Sequence, residues 1–249
     1  MYFDEISLSE NSKKRLGFFM KIEEVQVAVF LFLCKQIQAK TLFDIGANVG
    51  FYSLITRKYF PHIKVLSFEP TPETFRELQV NISINPGMSN QCYLFNSALS
   101  SSVGVIDFVD YGDMSGRNGI ANTSIHGRTT STKIIQIDTT RLDNLKNEAS
   151  SCCIFKIDTE GHEVEVLRGG EEVFCSNKCV IQIEDGHGKS QSEISNIFDT
   201  YGYTKILNVG PDSYYTNIST LMDPSARLHL FEESVNFMIQ HRWNLNPTI

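Results

Sequence analysis

Hydrophobic positions along this chain change their spacing several times, and each change marks an element. Over the first forty residues Ile22, Val25, Val29, Phe32, Leu33 and Ile37 recur at three- and four-residue steps, the period of a helix buried along one face. From residue 41 onward, short apolar runs alternate with longer amphipathic stretches. The runs 41–45, 64–69, 91–99, 103–110, 133–139, 154–158, 180–184, 204–209 and 235–240 read as strands. The stretches 50–59, 72–85, 163–174 and 191–201 read as helices. Thr71 followed by Pro72 is a helix start, and Pro86-Gly87 is a stop. Strands alternating with helices predict an α/β fold with a doubly wound, mostly parallel sheet and helices on both faces. The two late strands predict a terminal antiparallel hairpin at one edge. A helical segment over 1–40 would precede a single domain over 41–249.

Composition narrows the class. The 249 residues carry 22 Lys and Arg against 29 Asp and Glu, a net charge of −7, which argues against a non-specific nucleic-acid binder. The longest apolar run, Val27 to Cys34, falls well short of the roughly 18 residues of a membrane span. It follows a polar, charged start rather than the basic and then apolar layout of a signal peptide. The expectation is a cytoplasmic protein without a membrane span, whose apolar first helix could pair two subunits. Six cysteines stand in apolar contexts and read as buried free thiols; a zinc site among 152, 153, 175 and 179 lacks any CxxC spacing.

The first strand carries the chemistry. It ends TLFDIGANVGFYS, with Asp44, Gly46, Asn48 and Gly50 at the point where a parallel sheet binds ligands. Asn48 stands where a dinucleotide-binding turn has its middle glycine, so a pyrophosphate loses its close approach. Asp44 repels phosphate and suits an ammonium group. The second strand ends in Glu69, which can accept hydrogen bonds from ribose hydroxyls. Either acid could instead cap its own strand–helix turn. Together, about 25 residues apart on adjacent strands, they favour a nucleoside ligand such as S-adenosylmethionine (SAM), which has an ammonium, a sulfonium and no phosphate.

DIGANVGFYS, SFEPTPETFRELQVNI and KIDTEGHEVEVLRGG, in that order, resemble the FkbM-type SAM-dependent methyltransferases. The resemblance covers about residues 41–184; Thr159 stands where the family often has valine. It implies a seven-stranded Rossmann-like methyltransferase sheet and O-methylation of a hydroxyl on a sugar, glycan or related metabolite. Asp44, Gly46, Ala47, Asn48 and Gly50 would line the methionine end of SAM, with Phe51 and Tyr52 starting the helix over it. Glu69 would hold the ribose, Pro70 would lie beside the adenine, and Asn96, Ser97 and Ala98 would contact the adenine. The rivals are an NAD-linked oxidoreductase, opposed by Asn48 and Asp44, and a non-catalytic SAM-fold module that binds a partner.

Transfer to a sugar hydroxyl needs a group to take its proton. Asp158 is the first candidate, with His162, Glu160 and Lys156 behind it. Lys156 and Asp158 share one side of their strand by alternation, so a buried ion pair is the plain alternative. His162 could simply cap the following helix. The site is expected to be metal-free; were Mg²⁺ bound, Asp158, Glu184, Asp185 and His187 would supply ligands. His187 could equally be a solvated turn residue. The polar stretch 111–132, with Arg117, Asn118, Asn122, His126 and Arg128, suits either a lid over a hydroxylated acceptor or a plain insertion.

Overall fold

The computed structural model describes residues 6–13, 23–110, 119–120, 133–185 and 190–240. In chain order, helix α1 (Glu24–Gln36) leads into strand β1 (Thr41–Ile45), helix α2 (Phe51–Tyr59), strand β2 (Lys64–Phe68), helix α3 (Pro72–Ser83), short helix α4 (Pro86–Ser89) and strand β3 (Cys92–Phe95). Strands β4 (Ala98–Leu99), β5 (Gly104–Asp110), β6 (Gly119–Ile120) and β7 (Lys133–Thr140) follow. Then come β8 (Cys152–Ile157), α5 (Glu163–Arg168), α6 (Glu171–Ser176), β9 (Lys178–Glu184), α7 (Ser190–Thr200), β10 (Thr204–Val209), β11 (Asp212–Thr216), α8 (Ser219–Met222) and α9 (Pro224–Gln240).

Seven strands form the central sheet in the order β10-β11-β9-β8-β1-β2-β3. The five from β9 to β3 are parallel, and β11 and β10 complete the edge in antiparallel pairing. From β1 the chain winds outward through β2 and β3, then returns to build β8 and β9 on the other side. The switch point therefore lies between β1 and β8, where a ligand crevice opens at the strands' carboxyl ends.

Parallel strands covered on both faces read as unbroken apolar runs, and β1, TLFDI, is buried throughout. Alternation divides its residues between two cores. Leu42, Ile154, Val180 and Tyr214 face α1, α2, α3 and α9. Phe43, Ile45, Phe155, Ile157, Ile181 and Ile183 face α5, α6 and α7. Phe43 stacks on Phe155 at 4.8 Å and Phe198 on Tyr215 at 4.1 Å, so aromatic packing ties neighbouring strands and helices on this side. The run 27–34 that suggested pairing between subunits is buried within the chain, where Phe32 meets Phe237 of α9 edge-on.

Four expectations need correction. The hairpin partner of β10 is β11, not 235–240, which forms the last part of α9. Val235, Phe237 and Ile239 alternate as in a strand, but Pro224 opens a helix that runs through them. In Asp212–Thr216 the buried Asp and Ser hid the strand signal; the Gly210-Pro211 turn before it was the available cue, with Gly210 at φ +59°. The single strand expected over 91–99 breaks after Phe95, and β4 joins β7, β5 and β6 in a second sheet, ordered β4-β7-β5-β6. The helix expected over 163–174 breaks at Gly169-Gly170 into α5 and α6.

That last break has a packing cause. A Cβ on Gly169 would sit 2.0 Å from the Ser100 carbonyl oxygen just after β4, so only glycine lets the end of α5 pack against the second sheet there. Gly169→Ala is expected to destabilise the protein by roughly 2–4 kcal/mol, because backbone rather than a flexible side chain must move. Urea denaturation followed by circular dichroism checks this; Gly104→Ala, where a Cβ meets nothing within 4 Å, is the control.

Candidate active site

Strand register builds the site row by row. Asp44 pairs with Lys156, Lys156 with Gln182 and Gln182 with Tyr214, so four polar residues lie side by side on the face covered by α1 and α2. One step nearer the strand ends, Asp158 follows Ile157 as Glu184 follows Ile183, and Glu184 pairs with Asp212. An apolar row, Leu42, Ile154 and Val180, lies beneath and ends in Thr216 on β11. Polarity thus begins where the strands open to the crevice.

Lys156 is the hub. Its Nζ contacts Asp158 Oδ2 at 3.3 Å and Asp212 Oδ1 at 3.2 Å, and lies 5.4 Å from the Tyr52 ring centre. Burial alone would lower its pKa, but Asp158 and Asp212 outweigh that and raise it well above the usual value. The Tyr52 hydroxyl accepts from Gln182 Nε2 at 3.0 Å and bonds the Glu23 carboxylate at the start of α1. Burial pushes Glu23 up to about 7, against the pull of Lys156.

The turn after β1 is folded onto its neighbours. Gly46 has φ +78°, and a Cβ there would lie 1.8 Å from the Asp158 carbonyl oxygen, so β1 and β8 approach at their ends only through glycine. The amides of Gly46 and Ala47 both bond the Phe68 carbonyl. Asn48, at φ +50°, donates its amide to Glu69 Oε2 at 3.0 Å, and Thr71 donates to Glu69 Oε1 at 2.8 Å. Glu69 therefore ties the first turn to the second, and burial raises its carboxyl to about 7 despite those bonds. Asp44 Oδ2 accepts from the Ser53 amide at 3.1 Å and its hydroxyl at 2.5 Å, just inside α2; burial lifts it to about 6.

Three carboxylates gather at the ends of β8 and β9. Asp158, Glu160 and Glu184 each bring an oxygen within 4.8 Å of the others. Glu160 reaches this position with φ +55°, followed by Gly161 at +101°, a strained turn for a glutamate. Burial first, then Asp158 beside it, pushes Glu184 up to about 9, so at neutral pH this pair holds a proton. Glu163 supports the turn, its Oε1 accepting from Thr159 N, Thr159 Oγ1 and Gly161 N.

The structure brings together Asp44, Lys156, Asp158 and Glu160, with Gly46, Ala47, Asn48, Gly50, Phe51 and Tyr52 forming the turn and helix start above β1. Pro70 and Asn96 adjoin Glu69: Asn96 Nδ2 donates to the Glu69 and Pro70 carbonyls. Ser97 is half-buried, and Ala98 is buried in the small core under the second sheet. His162 turns away to Ser100, Nε2 to Oγ 3.0 Å, and burial lowers its pKa to about 4. Asp185 turns to Lys205 of β10 at 3.2 Å rather than to the three carboxylates. His187 and residues 117, 118, 122, 126 and 128 lie outside the described residues. Sequence reading missed Glu23, Gln182 and Asp212. The period of α1 places no weight on a residue before its first turn, and β11 was not anticipated; Gln182 inside an apolar strand was the one visible signal.

The raised carboxyls make stability depend on pH. A folded-state pKa above the unfolded one means the folded chain holds more protons, so stability is greatest below the unfolded pKa and falls as pH rises through the folded pKa. For Asp44 and Glu69 that window runs from their ordinary values of 3.8 and 4.5 up to about 6 and about 7. The ligand-free protein is expected to melt at a lower temperature at pH 8 than at pH 5. Asp44→Asn and Glu69→Gln should each remove roughly 2–4 kcal/mol of that dependence. Scanning calorimetry across pH checks it; a flat profile in the parent protein rules it out.

The Methyltransferase FkbM domain model matches residues 44–205, well over half of the chain. Methyltransferase sdnD of Sordaria araneosa is 26% identical over 155 residues, 52% of this chain and 60% of that protein. Hexuronic acid methyltransferase AglP of Haloferax volcanii is 31% identical over 164 residues, 65% of this chain and 63% of that one. The chain thus spans less than two thirds of the length of each. The crystal structure of Methyltransferase FkbM from Methylobacillus flagellatus KT superposes with a TM-score of 0.53 at 14% identity, over 72% of this chain and 43% of that one, which is a likeness of fold. With the family model spanning both strand-end turns and the carboxylates after β8 and β9, the chain belongs to the FkbM methyltransferase family.

Proposed function

We propose that the chain binds SAM across the ends of β1 and β2 and methylates a hydroxyl oxygen of a sugar or related metabolite held at the ends of β8 and β9. The observation that carries this reading is the pairing of two sets of acids at the carboxyl ends of neighbouring strands. Asp44 and Glu69 stand at the donor side, and Asp158, Glu160 and Glu184 stand at the acceptor side. Membership of the FkbM family supports the donor, and the name of AglP supports a sugar acceptor. An NAD-linked oxidoreductase gains nothing from either.

SAM supplies the methyl group, whose bond to sulfur breaks with the electron pair left on sulfur as the new bond to oxygen forms. The protein aligns the acceptor and removes its proton. In this reading Asp158, hydrogen-bonded by Lys156, accepts that proton, and Glu184 beside it shares in the proton the pair holds. Lys156 positions Asp158, and Glu160 borders the same opening. His162, neutral and bonded to Ser100, braces the turn and takes no proton in this reading. The three carboxylates would also accept a divalent cation, which prefers oxygen ligands.

The test follows transfer of labelled methyl from SAM to a panel of neutral and uronic-acid glycosides, in EDTA and in Mg²⁺. Asp158→Asn should lower turnover about 100-fold or more and leave SAM affinity within about threefold. Equal rates in EDTA and Mg²⁺ favour proton transfer without a metal. SAM binding without transfer to any hydroxyl would favour a binding module instead.

A further inference from the structure

Buried Asp44 and half-buried Glu23 both face Lys156, and among the described residues neither has a cation of its own or makes an ion pair. The cation that both face is Lys156, but its ammonium is spent on Asp158 and Asp212 at 3.3 and 3.2 Å. Asp44 is bonded by Ser53 and faces Lys156 and Asp158. Glu23 bonds Tyr52 and faces Lys156 from β8, Asp158 after it and Asp212 from β11. A third group is unsatisfied: Gln182, fully buried between Lys156 and Tyr214 in register, has no partner for Oε1. Buried acids without a counter-ion are costly unless they hold protons or a cation arrives.

Resting on the donor reading above, we propose that Glu23, supplied by the segment before the family-matched region, joins Asp44 in reading the positive charge of the methyl donor, so that the site favours SAM over its neutral product. Methyl transfer converts a sulfonium to a thioether, which removes one positive charge from the bound ligand. S-adenosylhomocysteine then keeps the shape and the ammonium but loses the sulfonium's share of the attraction to Glu23 and Asp44. The same acids that draw in the donor thus help to release the product. With Glu23 raised to about 7, some molecules hold it protonated at neutral pH, and an arriving cation expels that proton.

Titration calorimetry at pH 7 in two buffers of different ionisation enthalpy measures both affinity and protons exchanged. Intact protein should bind SAM about tenfold more tightly than S-adenosylhomocysteine and release protons with SAM only. Glu23→Gln should cut that preference about threefold or more by weakening SAM alone, with less proton release. Unchanged binding of S-adenosylhomocysteine shows that the variant is folded. Should it not fold, Tyr52→Phe, which removes the hydroxyl that holds Glu23, reads the same quantity. A preference that survives in the variant, or equal weakening of both ligands, overturns the role of Glu23 and leaves the donor reading intact. Binding of neither ligand by the intact protein overturns both.

Discussion

One buried lysine among carboxylates sets the terms for this fold. Lys156 lies where β8 leaves the core, beside Asp44 on one strand and Gln182 on the other. A charge in that position costs several kcal/mol unless paired, and one partner is local and the other distant: Asp158 two residues on, and Asp212 on the antiparallel side. The switch in winding direction at β1 and β8 is therefore matched by a switch from apolar to ionic packing. Ion pair and crevice share one location because both need the strand ends.

A glycine draws the strand ends together there. Gly46 lets the first turn touch the Asp158 carbonyl, and Glu69 takes amides from both strand-end turns. The ends of β1, β2 and β8 are thus joined by backbone contacts as well as by charge. His162 and Gly169 do the same for the second sheet, each meeting Ser100.

The sequence made the parallel strands legible because they are buried on both faces, and it made Asp44, Glu69 and Asp158 legible because each directly follows or ends such a run. It concealed what depends on distance along the chain. Asp212 shares the Lys156 ammonium with Asp158, yet 56 residues separate it from that lysine, and no local period announces it. Glu23 reaches the site only because α1 folds back over the sheet, where the Tyr214 hydroxyl bonds the Gln26 carbonyl. Periodicity also misread 235–240, since alternation over six residues cannot be told from a stretch of buried helix.

Glu23 and Asp212 have a consequence for how such proteins diverge. Both lie outside the stretch 44–205 that defines the family, yet both face the lysine at its centre. The inherited core carries the two strand-end turns, while the flanking segments complete the electrostatic surroundings. Descendants could therefore exchange their flanks and retune the same crevice without altering a residue of the signature, and kinship across the core would then say little about shared ligands.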